Sequence, residues 1–329
     1  MLNPTLKLNL KLFDEDVEKD ATRVGFGKGL LKLGENNPNV VALCADLTES
    51  TNAHLFAEKF PERFFEMGVA EQNMASVAAG LGVSGKTAFI SSYATFSPGK
   101  NWETIRTTII YNQANVKIAG HHAGIMTGPD GATHQATEDI AITRCWPDID
   151  IYVPCDTIEA EKATILAGNT TTPAYLRYSR DKTPIMTTSE TPFKSGKMYD
   201  FWISDNPKVT IFAMGYMLYY ALVAAKELET ENINVQVINT STIKPLDEEG
   251  ILNFTRTTQA VVTVEDHQVM GGMGSAIAEF LAKTTPLPIE FIGLQNTFAE
   301  TGTPKQLIEK YGMGVESIKK AVKDVIRRK

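Results

Sequence analysis

The chain has 329 residues, a formal net charge of −7, and a composition that is 43% hydrophobic and 22% charged. This is the composition of an ordinary globular protein, long enough for about two domains. No basic block is present to neutralise phosphodiesters, and no apolar run approaches the roughly 20 residues needed to cross a bilayer, so neither nucleic acid nor membrane is expected as a partner.

The N-terminal stretch "MLNPTLKLNLKLFDEDVEKD" alternates apolar and polar residues, turns charged, and lacks the apolar core of a signal peptide. A helix is expected in "ATRVGFGKGLLKLGENN", ending near Gly34 and Asn37, and a strand in "NVVALCAD". "KTAFISS" reads as a strand, "NWETIRTTIIYNQAN" as a helix, "VKIAGHH" as a strand, "IEAEKATILAGN" as a helix and "AYLRYSR" as a strand. Apolar strands separated by helices predict βαβ units and a mainly parallel sheet covered on both faces. From about residue 183 to 207 the pattern lapses into Thr, Ser, Pro and Lys, which reads as a linker or a strand-poor crossing segment. Alternation then resumes through "VTIFAMG", "YYALVAAKELETEN", "VQVINTSTI", "QAVVTVED", "GSAIAEFLAKT" and "PIEFIGL", and two short helices close the chain. The expected fold is α/β, with two doubly wound domains: residues 1–185, a linker at 186–206, and a smaller domain at 207–329. Cys44, Cys145 and Cys155 are odd in number and not at CxxC spacing, which fits reduced thiols in a cytoplasm.

Ligands of open α/β sheets sit at the carboxyl ends of the strands. There "CADLTES" brings Asp46 and Ser50, "SYATFSPGK" brings Tyr93 and Phe96, and "YSRDK" brings Arg180. The loop "GHHAGIMTGPDGATHQATED" holds three of the five histidines, with Asp130 among them. Its glycines permit close ligand approach, and long ordered loops of this kind are often functional. Zinc is a weak reading, because His121 and His122 are adjacent and no HExxH or cysteine partner exists. "GGMGSAIAE" is a glycine turn before a helix; its amides suit either an anion or simple helix packing. In "GVAEQNMASVAAGLG" a single carboxylate, Glu71, stands directly ahead of a small-residue apolar helix.

These motifs, in order, resemble transketolase, specifically the C-terminal half-chain of split transketolases: "ATR", "ADLTES", "GVAEQNM", "SYATF", "GPDGATHQ" followed by "ED", "PCD", "YSR", "STIKPLD" and "VTVEDHQVMGGMGSA". They span nearly the whole chain. A looser resemblance extends to deoxyxylulose-phosphate synthase and to the beta subunits of 2-oxoacid dehydrogenases. The resemblance implies a thiamine diphosphate enzyme whose first domain binds the aminopyrimidine ring and whose second is the transketolase C-terminal domain. The family holds the diphosphate and Mg²⁺ through a GDG motif followed by an asparagine, and this sequence has no GDG. The expected partner is an N-terminal transketolase subunit that carries that motif and brings the diphosphate and metal. The expected assembly is a heterotetramer, a dimer of heterodimers with each active site at a subunit interface.

The resemblance also implies roles. Glu71 would hydrogen-bond the aminopyrimidine ring nitrogen and favour the imino tautomer that deprotonates the thiazolium carbon. Apolar neighbours suit that task because they penalise the charged form of a group that must give and take a proton. Phe96 would stack on the pyrimidine, Tyr93 would line its pocket, and Asp46 would lie near the cofactor. His134 would serve proton transfer over the reacting carbons, and His122 and Asp130 would contact sugar hydroxyls. Arg180, Ser50, Arg23 and His122 would grip the sugar phosphate, for which the arginine fork is suited. The plain alternatives are a first-turn glutamate for Glu71, surface salt bridges for the arginines, a helix N-cap for Ser50 and a strand-end turn for Asp46. The sequence departs from the family after Phe96, at "SPGKNW", which leaves Lys100 either facing a phosphate or facing solvent. The expected reaction is transfer of a two-carbon ketol unit from a ketose phosphate to an aldose phosphate. The rivals are a 2-oxoacid dehydrogenase beta subunit, a split transketolase specialised for an unusual sugar phosphate, and a non-catalytic scaffold subunit.

Overall fold

A computed structural model describes residues 1–329. The main strands, in chain order, are β1 (Val40–Cys44), β2 (Phe64–Glu66), β3 (Thr87–Tyr93), β4 (Val116–His121), β5 (Asp150–Tyr152), β6 (Ala174–Arg177), β7 (Tyr199–Trp202), β8 (Val209–Ala213), β9 (Val235–Asn239), β10 (Thr242–Lys244), β11 (Val261–Gln268) and β12 (Ile289–Leu294). They form a seven-stranded sheet in the order β10-β5-β6-β4-β3-β1-β2 and a five-stranded sheet in the order β12-β11-β8-β9-β7. Within each sheet the strands pair in parallel except for one edge strand, β10 on β5 and β7 on β9.

The apolar runs that mark these strands are explained by burial on both faces. Along β1, Val40 and Ala42 pack with Phe26, Leu30 and Ala163, while Val41 and Leu43 pack with Met74, Ala75 and Ala78. One face therefore carries helices Thr22–Asn36 and Thr157–Gly168, and the other carries helix Glu71–Val83. The first two cross closely at Gly25, where a Cβ would fall 2.0 Å from the Thr157 carbonyl oxygen. Each fully buried Val, Leu or Phe contributes about 1.5–3 kcal/mol over an exposed one. The short edge strand β2 has little of this support, since Phe65 and Glu66 are exposed.

Three features depart from the sequence reading. Strand β7 lies inside the segment 186–206 expected to be a strand-poor linker; it pairs antiparallel with β9, where its Phe201 and Trp202 are buried. The run "VQVINTSTI" is two strands, and the second, β10, crosses to complete the edge of the first sheet. Residues 1–13 do not belong with the first sheet. Leu6, Leu8 and Leu12 pack with Phe201, Trp202 and Met217, and the Asn3 N–H donates to the Phe201 carbonyl at 2.9 Å. Apolar residues reach whichever uncovered face lies nearest, and local pattern does not say which sheet that is. One apolar cluster runs through both units, joining Val41, Ile90 and Ile151 to Phe212, Ile251 and Met273.

Candidate active site

Helix Glu71–Val83 opens on Glu71 and turns Met74, Ala75, Ala78 and Ala79 inward. Glu71 is 2% exposed, and its Oε2 accepts from Lys100 Nζ at 2.8 Å. Lys100 ends the irregular segment Thr95–Lys100, which Asn101 ties to the helix by donating to the Glu71 carbonyl at 3.1 Å and to Ser97 Oγ at 3.2 Å. Lys100, half exposed, is thus paired with Glu71 as its counter-ion.

The ends of β3 and β4 bring four rings together. Tyr93 stacks on His122 with centroids 4.0 Å apart and on Phe96 at 6.1 Å, and His134 stands edge-on to Phe96 at 5.4 Å. Around them, Arg23 donates to the Ser50 carbonyl at 2.8 Å, and Arg180 donates to the Thr127 carbonyl at 2.7 Å with Asp130 at 3.7 Å. Burial lowers His122 to about 3, helped by the positive charges of Arg23 and Arg180 and by His134. The His122 imidazole is thus neutral, and the charge of this pocket comes from the two arginines. The buried atoms Arg23 Nε and His122 Nδ1 have no partner within the chain.

The remaining expected residues divide. Ser50 joins the cluster through its carbonyl and does not cap a helix with its side chain. Asp46 sits past β1 with φ +59° and an exposed side chain. Its N–H donates to Glu66 Oε1 at 2.7 Å, and the same carboxylate takes the Gly68 N–H and the Thr48 hydroxyl. Glu66 thus shapes the turn leading to Glu71, and the sequence reading missed it. His121 is separate from the other two histidines of its loop, packed between Phe26 and Tyr178 with centroids at 4.8 and 5.1 Å. The amides of "GGMGSAIAE" are already taken: Glu265 accepts from Met273 N at 2.8 Å and Gly274 N at 3.0 Å. Burial pushes Glu265 up to about 7, and those two N–H bonds oppose it.

A second polar group, also missed, lies beneath the histidine loop. Asp139 Oδ2 accepts from Tyr175 Oη at 2.6 Å and Arg177 Nε at 2.8 Å, and Arg177 Nη2 donates to the Asp266 carbonyl at 2.7 Å. Beside them, His267 Nδ1 donates to the Gln268 carbonyl at 2.6 Å while Nε2 accepts from Ala141 N at 3.4 Å. Burial lowers His267 to about 4, so it is neutral. The available signal was an arginine inside an apolar strand, Arg177 in "AYLRYSR", which demands buried partners.

Comparison with known proteins identifies both domains. The transketolase pyrimidine-binding domain model matches residues 18–186, and the transketolase C-terminal domain model matches residues 202–318. A putative transketolase C-terminal section from Methanocaldococcus jannaschii is 39% identical over 309 residues, covering 93% of this chain and 96% of that protein. A 6-deoxy-6-sulfo-D-fructose transketolase subunit from Clostridium sp. is 35% identical over 319 residues, covering 96% and 98%. The structure of a split gene transketolase, an inactive beta4 tetramer, superposes with a TM-score of 0.87 at 42% identity, covering 93% of this chain and 98% of that one. The chain spans about half the length of the mouse and human relatives it matches. The chain belongs to the transketolase family, with the family's pyrimidine-binding and C-terminal domains in that order.

Proposed function

We propose that this chain is the pyrimidine-binding subunit of a split transketolase, and that with a partner chain it transfers a two-carbon ketol unit from a ketose phosphate to an aldose phosphate. The observation that carries the reading is the packing of His122 and His134 on the Tyr93–Phe96 stack, with Arg23 and Arg180 near enough to act on His122, Asp130 beside Arg180, and the buried Glu71 paired with Lys100 at the end of the segment that carries Phe96. The residues suit thiamine diphosphate: Glu71 has a carboxylate whose only ionic partner is a half-exposed lysine, and Phe96 offers a flat apolar face. That cofactor, when bound, supplies a carbon nucleophile and an electron sink for the two-carbon unit. Glu71 would hold or accept a proton at its ring nitrogen, and the apolar helix behind Glu71 keeps water from competing.

Arg23 and Arg180 would hold the sugar phosphate, whose oxygens match the guanidinium fork. Asp130 would accept from a sugar hydroxyl. His122, being neutral, would act as a hydrogen-bonding ring and not as a second cation. His134 is only partly buried, so it is able to reach a substrate and move a proton. Mg²⁺ and the diphosphate are assigned to the partner. The split-gene relative described as an inactive beta4 tetramer supports the need for one. A second reading, specialisation for an unusual sugar phosphate, draws loose support from the likeness to the Clostridium subunit, whose named sugar, 6-deoxy-6-sulfo-D-fructose, carries a sulfonate in place of a phosphate.

The test is reconstitution. The purified chain is assayed alone and with an N-terminal transketolase subunit, each with thiamine diphosphate and Mg²⁺, on a panel of ketose and aldose phosphates. Transfer is expected from the pair and not from the chain alone. Turnover by the chain alone, or an active pair indifferent to Arg180→Ala in its KM for phosphorylated sugars, would overturn the reading.

A further inference from the structure

The loop from His122 to Thr137 carries three of the residues read as substrate contacts, and both domains hold it: within the first, Arg180 donates to the Thr127 carbonyl at 2.7 Å and Tyr93 stacks on His122. The Ala123 N–H donates to the Tyr178 carbonyl at 3.0 Å, and the Gly124 N–H to the Ala136 carbonyl at 2.7 Å. On its other side stands the second domain. Asp266 Oδ1, at the end of β11, accepts from the Ile125 N–H at 3.0 Å. The Gln268 N–H donates to the Thr137 carbonyl at 2.7 Å, and Gln135 Nε2 donates to the Glu300 carbonyl at 3.2 Å. Ile125 and Met126 are buried in the apolar cluster of the second domain, with Met217, Val264 and Leu307.

The fit at Gly124 is the tightest part of this contact. Gly124 has φ +75°, and a Cβ there would fall 1.6 Å from Asp266 Oδ2. The carboxylate therefore occupies the volume a side chain would need, and only glycine meets both the backbone angle and the space. Asp266 is itself fixed from behind, because its carbonyl is held by Arg177, which is bound to Asp139. A buried carboxylate on a backbone N–H makes a stronger hydrogen bond than a neutral acceptor.

We infer that Asp266 is a positioning residue: by holding Ile125 and filling the space over Gly124, the second domain sets the loop that presents His122, Asp130 and His134. The second domain is then part of the substrate site's construction without touching substrate. The anchoring is a statement about this chain by itself; only its catalytic consequence rests on the proposed function.

The experiment compares wild type with Asp266→Ala, Asp266→Asn and Gly124→Ala. Hydrogen exchange on the purified chain reads the anchoring directly. In Asp266→Ala, amides 125–131 lose protection by about ten- to a hundredfold, the equivalent of one hydrogen bond to a charged acceptor. Amides of β3 and β4 are unchanged, and Asp266→Asn, which retains a neutral acceptor oxygen, recovers part of the loss. In the reconstituted pair, Asp266→Ala raises the KM for the aldose phosphate more than it lowers kcat and leaves thiamine diphosphate affinity within about twofold. If Asp266→Ala does not fold, Gly124→Ala gives the same readout from the loop side. Unchanged exchange at 125–131 in a folded Asp266→Ala or Gly124→Ala chain would overturn the inference. Absence of ketol transfer by the wild-type pair would instead strike the proposed function, and exchange would still decide the anchoring.

Discussion

Glu71 and Asp139 are both buried carboxylates of the first domain, 2% and 1% exposed, yet their surroundings differ in kind. Glu71 has one ionic partner, Lys100, whose side chain is 49% exposed. Asp139 is enclosed by Tyr175 and by Arg177, whose own side chain is 5% exposed, with His267 at 4.0 Å. A partner reached by water can be traded for another at modest cost. A sealed network cannot, because removing any member strands a charge away from solvent. Chemistry belongs where the partner is exchangeable, and positioning belongs where it is not.

The largest expected effect tests the first half of this contrast. Glu71→Ala is expected to lower turnover of the reconstituted pair by about 10²–10⁴-fold, the usual contribution of a positioned acid–base group, while the chain stays folded. Activity within tenfold of wild type would remove Glu71 from the chemistry. The next tests the second half. Arg177→Ala leaves Asp139 without its cation and is expected to cost about 3–5 kcal/mol in urea unfolding. A loss below about 1 kcal/mol would mean that the network is not sealed in solution.

Part of this contrast was readable in sequence. The β-branched runs "NVVALCAD" and "VKIAGHH" mark β1 and β4 because both faces of the sheet are buried. Tyr93 ends β3 and His122 follows β4, its parallel neighbour, so a parallel sheet alone brings them to one edge. The Lys100–Glu71 pair joins residues 29 apart in separate elements, and a lysine's long stem reaches many places. Asp266 and Ile125 are 141 residues apart, and nothing in either local pattern encodes that the second domain closes over the loop. Strand β7 was hidden for a related reason: a short edge strand is decided by the sheet it joins, not by its own Thr- and Ser-rich neighbourhood.

His122 gives a smaller effect with a defined sign. Its folded-state value of about 3 lies below the ordinary 6.5. Between those values the unfolded chain binds a proton that the folded chain refuses, so stability is intact above about pH 6.5 and falls as the pH drops. The slope for one such group approaches about 1.4 kcal/mol per pH unit. Urea unfolding at pH 7 and pH 5 should show that wild type loses about 1–2 kcal/mol more than His122→Gln. Equal losses would mean that His122 is not held neutral, and the pocket would then carry three cations instead of two.

The smallest effect is also the sharpest test of exchangeability. A double-mutant cycle on the stability of the chain, using Lys100→Met and Glu71→Gln, should give a coupling of about 1 kcal/mol or less, because half of the Lys100 side chain remains in water. The coupling should shrink further as salt is raised. A coupling as large as that expected for Arg177 and Asp139 would mean that Glu71 is locked to its lysine, so that a cofactor ring would have to break a strong pair before using the carboxylate. A small, salt-sensitive coupling is what a resting counter-ion gives: Lys100 would keep Glu71 compensated in the free chain and, under the proposed function, would yield it to a cofactor ring nitrogen.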